Sequence, residues 1–375
     1  MGKRQQAAAL QSNMAGNPQL LAVIRNEIEL RGSISFARFM ELALYHPQFG
    51  YYMSGQVRVG KEGDYFTSPT VGPVFGRFLG MQFAEMWETM GKPKPFVLLE
   101  LGSNRGWLAE DVMCWARERR PDFAEAIDYR VCERGKRSVV SGQWSAFSDW
   151  REIPDGAVTG CIFSNELVDA FPVHLVRRVN GDWKELYVDW REEAFQWTVG
   201  ALGFPMESLP MTLREFPFPD GYTTEVHLAA VDWLSHMARI LSRGFLMTVD
   251  YGYLDAKYYA PYRSNGTLLC YHKHQTNTEP LERVGEQDIT AHVNFGALVL
   301  MGTALGLDFT GLTDQTRFIM GIGQSEIERI VNAKPGQPDT TRQQLQTLLN
   351  PADMGRTFKV LVQQKGIEGV ETKQP

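Results

Sequence analysis

Apolar residues recur along this chain first at helical spacing and later in short unbroken runs, and that change of period divides it. Leu20, Leu21, Ile24 and Ile28 share one helix face that Gly32 closes. Ser35 is placed to cap a second helix through Phe36, Phe39, Met40, Leu42 and Ala43. From His46 to Pro69 no period is sustained, although glycine, aromatic and hydroxyl residues abound. That stretch reads as a long ordered loop of the kind that often carries function. Val74 to Thr89 is helical again, with Phe75, Phe78, Leu79, Phe83, Met86 and Trp87 apolar, and Gly91-Lys92-Pro93-Lys94-Pro95 marks a boundary.

Beyond the boundary, Phe96-Val97-Leu98-Leu99 is an apolar run of strand length that ends at Glu100. It breaks into the turn Gly102-Ser103-Asn104-Arg105-Gly106 and then a helix from Leu108 to Arg119. Further strands are expected over Asp128–Cys132, weakly over 144–150, and over 157–163, 183–190, 244–249, 267–271 and 358–362. Asn180-Gly181 before the 183–190 strand is a hairpin signal. Thr224 to Leu241 and Asn294 to Leu305 read as helices, 320–351 as helical surface, and 204–221, with four prolines, as an irregular insertion. Strands alternating with helices predict an α/β fold with a mostly parallel sheet covered on both faces. In such sheets ligands bind beyond the carboxyl ends of the strands. Glu100, Glu133, Glu166 and Asp250 all stand at or near such ends.

At 375 residues the chain can hold one large domain and a smaller lobe. A net charge of -6 argues against a general binder of nucleic acid or of anionic membranes. No segment approaches the ~18 consecutive apolar residues of a membrane helix. Cys114, Cys132, Cys161 and Cys270 lie far apart without a CxxC pair, which reads as buried thiols in a reducing, cytoplasmic setting. The first 17 residues lack the apolar core of a secretory signal and read as a solvated terminus, with an organellar presequence and a mitochondrial matrix location as the alternative.

The turn after Glu100 narrows the chemistry. Dinucleotide sites place glycine at three positions so that pyrophosphate can rest on the helix N-terminus. Here Asn104 stands at the second position and Trp107 at the third, where an indole would obstruct the pyrophosphate. The pattern Glu100-x-Gly102-x-x-x-Gly106 better suits a cofactor without phosphates such as S-adenosylmethionine. Its ammonium and sulfonium groups favour nearby acids, and Glu133 is placed to accept two ribose hydroxyls. Asn165-Glu166-Leu167-Val168-Asp169 follows a strand expected beside the first. Its three polar side chains can orient a nitrogen nucleophile or accept its proton; capping of a helix by Asn165, with two acids in the first turn, is an equally local reading. Two further groups are Gly63-Asp64-Tyr65-Phe66-Thr67-Ser68-Pro69 and Asp288-Ile289-Thr290-Ala291-His292-Val293-Asn294. His272, His274 and His292 lack the spacing of metal ligands, so no metal is expected. Neither a G-x-S-x-G elbow nor a phosphate loop ending in G-K-[ST] is present.

Taken together these stretches resemble the MidA-type methyltransferases, relatives of the mitochondrial assembly factor that methylates an arginine of a respiratory complex I subunit. The resemblance runs from about Pro18 to Gly323 and includes the last strand. It rests on Tyr45 to Tyr52, Gly63 to Pro69, Glu100-Leu101-Gly102, Asn165 to Pro172, Asp250-Tyr251-Gly252 and Asp288 to Phe295. It implies a class I (Rossmann-like) methyltransferase fold with a seven-stranded sheet, S-adenosylmethionine as donor and a protein arginine as acceptor. The expected layout is a disordered N-terminus over 1–17, a helical lobe with the loop over 18–92, and a catalytic domain over 93–365. That domain carries a substrate-side insertion near 180–223, and the tail over 366–375 is disordered. On this reading Glu100, Gly102, Asn104, Gly106 and Glu133, with Thr67, Ser68 and Pro69, hold the cofactor. Glu166, Asp169, Asn165 and Asp64 serve the acceptor nitrogen, and Asp250, Asp288 and His292 line the substrate side. The expected partners are a protein substrate, such as a respiratory complex subunit, and a second copy of the chain, with neither nucleic acid nor membrane.

The family's usual turn is G-P-G-R-G, so Ser103 and Asn104 depart from it, and Thr70 stands where an acid usually follows T-S-P. Asn takes positive φ more readily than other non-glycine residues, which lets the turn survive. The competing reading is a non-catalytic assembly factor on the same fold, with an NAD-dependent oxidoreductase third.

Overall fold

The computed structural model describes residues 16–54, 71–134, 144–333, 340–351 and 354–367. The Gly63–Pro69 loop, with Asp64, Thr67, Ser68 and Pro69, lies outside the described residues. The chain divides into two compact units, one of Met1–Tyr65, Asp169–Ala230 and Tyr253–Asn294, the other of Phe66–Val168, Val231–Gly252 and Phe295–Pro375.

The second unit is built on a sheet of β1 (Phe96–Leu101), β2 (Ile127–Cys132), β3 (Ser145–Phe147), β4 (Val158–Asn165), β5 (Leu241–Tyr253), β6 (Asp308–Asp314) and β7 (Phe358–Lys365). These run side by side in the order β6-β7-β5-β4-β1-β2-β3. β7 is antiparallel to both β5 and β6, and the remaining pairs are parallel. Every residue of β1 is buried, as its unbroken apolar run requires of a central parallel strand covered on both faces. β4 pairs directly with β1, so the segment following Asn165 emerges next to the turn following Glu100. The helix Val74–Thr89, expected in an N-terminal lobe, belongs to this unit because Phe75, Phe78, Leu79, Phe83 and Met86 are buried in its core. Phe83 meets Phe163 of β4 with ring centroids 4.9 Å apart.

The first unit gathers three separate segments around one core. Leu20, Ile24, Phe36 and Phe39 of the helices Pro18–Arg31 and Phe36–Tyr45 pack with Leu175, Val188, Cys270 and Ile289. The expected insertion over 180–223 is therefore part of a wider body, since apolar residues on both sides of it share that core. Asn180 and Gly181 take φ of 51° and 79° and form the tight turn between strands His174–Val179 and Asp182–Arg191. The helix expected from Thr224 begins instead at Leu228. The β-branched Thr223 and Thr224, with Val226, form a strand paired with His174–Arg177. A small sheet places Leu269–His272 between Gln275–Asn277 and Asp288–Thr290. No helix among the described residues is long and apolar enough to cross a membrane.

Candidate active site

In the second unit the carboxyl ends of β1, β2, β4 and β5 bring Glu100, Glu133, Asn165, Glu166 and Asp250 to one edge of the sheet. The turn after β1 is held by backbone and side chain together. Gly102 donates its N–H to the Cys132 carbonyl at 2.9 Å, and Asn104 donates its N–H to Oε2 of Glu133 at 2.6 Å. Glu133 in turn donates its own N–H to the Phe147 carbonyl at 3.1 Å, so three neighbouring strand ends are tied in series. Gly102, Asn104 and Gly106 have φ of 74°, 51° and 74°. Asn104 thus adopts the left-handed conformation that lets the departure from glycine keep the turn. The helix Trp107–Arg119 starts directly behind Gly106 with no side chain capping it, and Arg105 lies over the Trp107 ring at 5.4 Å. Its first N–H groups carry the positive end of the helix dipole.

Glu100 does not open outward. It is 3% exposed, and its Oε2 accepts the Tyr129 hydroxyl at 2.7 Å. Burial pushes its carboxyl up to about 8, against a smaller lowering by that hydrogen bond. Burial also raises Glu133, partly offset by the Asn104 N–H. Tyr129 was not singled out by the sequence, where it is one aromatic in a strand. Only the pairing of Glu100 with Val131 brings the two side chains to neighbouring strands.

Between the ordinary glutamate value of 4.5 and about 8, folded Glu100 keeps a proton that the unfolded chain releases. The folded state therefore binds more protons there, and stability falls as pH rises through that window. Denaturant midpoints should drop between pH 5 and pH 8.5, and Glu100→Gln should flatten that drop. An equal loss in the variant removes Glu100 as its cause.

The turn after β4 is fixed as firmly. Glu166 has φ of 53°, donates its N–H to the Val249 carbonyl at 2.9 Å, and accepts Asn165 Nδ2 on Oε1 at 3.0 Å. Asn165 Oδ1 is buried without a hydrogen-bond partner. Asp250, placed on the substrate side by sequence, is fully buried, and its Oδ2 accepts the N–H groups of Leu167 at 3.2 Å and Val168 at 3.0 Å. Its Oδ1 accepts the Tyr251 N–H at 2.9 Å. Asp250 therefore shapes the turn that carries Glu166. That turn lies against the first one, since a Cβ on Gly102 would stand 3.1 Å from Leu167 Cδ1.

Asp169, Asp288 and His292 belong to the first unit. The Asp169 carbonyl accepts the Ala291 N–H at 2.9 Å, and the Tyr52 hydroxyl donates to Asp288 Oδ1 at 2.7 Å. Tyr52 also stacks on Tyr45, whose hydroxyl donates to the Ala170 carbonyl at 2.9 Å. His292 stacks on Tyr253 at 5.2 Å, and burial lowers its imidazole to about 4, so it is neutral near pH 7. Tyr258 joins a nearby chain, contacting His227 Nε2 at 2.8 Å and donating to Glu225 Oε2 at 3.1 Å, that no spacing in the sequence signals. Glu225 lies within the stretch, Thr224 to Leu241, that reads as a helix. Among the described residues no group of three or more His, Cys, Asp or Glu side chains is arranged to hold a metal ion.

The second unit's edge is rich in hydrogen-bond acceptors: the Glu133 and Glu166 carboxylates and the orphaned Asn165 Oδ1. That donor-seeking set fits the ammonium and hydroxyl groups of S-adenosylmethionine and suits a pyrophosphate poorly.

Comparison with known proteins agrees. Residues 78–313 match a protein family described as "Putative S-adenosyl-L-methionine-dependent methyltransferase". The Drosophila melanogaster protein arginine methyltransferase NDUFAF7 homolog, mitochondrial, is 27% identical over 97% of this chain and 89% of its own length. Mouse protein arginine methyltransferase NDUFAF7, mitochondrial, is 26% identical over 90% of this chain and 83% of its own. A Burkholderia thailandensis protein crystallised with S-adenosyl-homocysteine superposes with a TM-score of 0.84 at 27% identity, covering 97% of this chain and 95% of that one. Its bound ligand is the methyl donor less its methyl group. With the sheet order, the acceptor-rich edge and these matches in agreement, the chain belongs to that S-adenosylmethionine-dependent methyltransferase family and is an enzyme that takes S-adenosylmethionine as its methyl donor.

Proposed function

We propose that the acceptor is the guanidinium of an arginine in a protein substrate. The observation that carries this reading is Glu166, held at positive φ beside Asn165 on a turn packed against the turn after β1. A guanidinium keeps its proton to above ~12, so a carboxylate must orient it and draw the proton off as its nitrogen is methylated. When bound, S-adenosylmethionine supplies an electrophilic methyl group. Glu166 accepts a guanidinium N–H, and Asn165 fixes the Glu166 carboxylate through Nδ2; Asp169 is assigned a place as a second acid from sequence alone. Asp64 is assigned the same task from sequence. Gly102, Asn104, Gly106 and Glu133, with Thr67, Ser68 and Pro69, hold the cofactor. Glu100, protonated and bonded to Tyr129, is a positioning residue beneath them. Asp288 and His292 shape the first unit through Tyr52 and Tyr253. The relatives' names support an arginine acceptor, and the family resemblance favours a respiratory complex subunit as the protein. The compartment, cytoplasm or mitochondrial matrix, follows that acceptor.

The test is incubation with methyl-labelled donor and lysate, followed by acid hydrolysis and amino-acid analysis. Label is expected in methylarginines. Label in lysine or in base-labile esters, with donor binding intact by calorimetry, overturns the arginine reading. Absence of donor binding at hundreds of micromolar overturns the role assigned to the turn.

A further inference from the structure

The five strands around His174–Val179 in the first unit end in two very different edges. At one, Thr223–Val226 is buried at every position, and Glu225 accepts the N–H groups of Thr267 and Leu268 from the covering chain. At the other, Ala194–Gly200 pairs with Asp182–Arg191 over seven residues without a bulge. Among the described residues no second strand lies along its outer side. Edge strands are usually guarded by charge, proline, bulges or a covering element, because their free N–H and C=O groups invite another strand. Ala194-Phe195-Gln196-Trp197-Thr198-Val199-Gly200 carries no charge and no proline. Alternation puts Phe195, Trp197 and Val199 on one face. Phe195 packs on Phe39 and Trp190 at 5.4 and 4.9 Å, and Trp197 leans on Phe36 at 5.2 Å. Trp197 and Val199 nevertheless remain 39% and 49% exposed, so the apolar face runs from the core out to the open edge.

We infer that this edge pairs antiparallel with the same strand of a second copy of the chain, giving a two-fold dimer. Centred on Trp197, the register sets Trp197 against its own copy, Phe195 against Val199 and Gln196 against Thr198. These are aromatic, aromatic–β-branched and polar cross-strand pairs, the kinds that stabilise a ladder, and no like charges oppose. The turn acids Glu192 and Glu193 fall opposite Leu202 and Ala201. A two-fold contact requires such self-complementarity, whereas a cationic acceptor peptide would call for acids along the strand, and there are none.

Sedimentation of the full chain at tens of micromolar should give twice the 42.5 kDa chain mass. Val199→Lys should raise the dimer dissociation constant at least ten-fold. In a Cys114→Ser background, which removes the exposed native thiol, Gln196→Cys and Thr198→Cys proteins mixed and oxidised should cross-link to each other far more than either does alone. The cross-link tests the register even if Val199→Lys disturbs folding. A monomeric wild type, a dimer unaffected by Val199→Lys, a missing mixed cross-link, or pairing of this edge only with an added basic peptide overturns the inference.

Discussion

Glu166→Gln is expected to lower kcat for methyl transfer by about 10²–10⁴-fold, the range for loss of a positioned acid–base group, while donor affinity stays within a few-fold. The substitution is nearly isosteric. Gln can still accept Asn165 Nδ2 on its oxygen, and the N–H to the Val249 carbonyl belongs to the backbone. What disappears is the charge and the second acceptor, where an NH₂ group would now face the guanidinium donors. A φ of 53° at a residue with a side chain costs about 1–2 kcal/mol, and strain of that kind gathers where geometry serves a ligand. Label transfer under saturating donor, with calorimetry alongside, separates the two effects. Unchanged turnover removes Glu166 from the mechanism. A large loss of donor affinity would move it to the cofactor.

The parts of the fold that could be read from sequence are those fixed by neighbours along the chain. β1, its turn and the helix behind it form a local strand–turn–helix unit, and the apolar run from Phe96 names a strand buried on both faces. The Asn180-Gly181 turn is similarly local. The first unit was less legible because Leu20, Leu175 and Ile289 share a core only after three distant segments meet. Buried charge misled in the same way. Glu225 occurs where a helix surface would carry an acid, yet it is fully buried and bonded to Thr267 and Leu268. The acids at the strand ends were visible as a set, but their separate tasks were not. Glu100 turned inward to Tyr129, Glu133 to the turn's own backbone, and Asp250 to the turn after β4. Each partner lies 29 or more residues away, beyond what spacing can indicate.

Asp250→Ala should carry the largest stability cost of any single change near the site. Three backbone N–H groups, those of Leu167, Val168 and Tyr251, would lose a carboxylate acceptor in a fully buried position. An unsatisfied buried donor costs about 1–3 kcal/mol, and entering water can recover part of this, so a net loss of about 3–5 kcal/mol is expected. Asp250→Asn should cost less. Its one remaining oxygen can still serve Leu167 and Val168, leaving its NH₂ against the Tyr251 N–H. Chemical denaturation of the three proteins measures that order. The same variants separate a positioning role from substrate contact, because Leu167 and Val168 directly follow Glu166. If Asp250 acts by holding their turn, Asp250→Asn should lower kcat along with stability and leave the acceptor KM nearly unchanged. A raised acceptor KM at full stability would return Asp250 to the substrate side. With the carboxylate buried and both oxygens accepting backbone amides, the expected result is the loss of kcat.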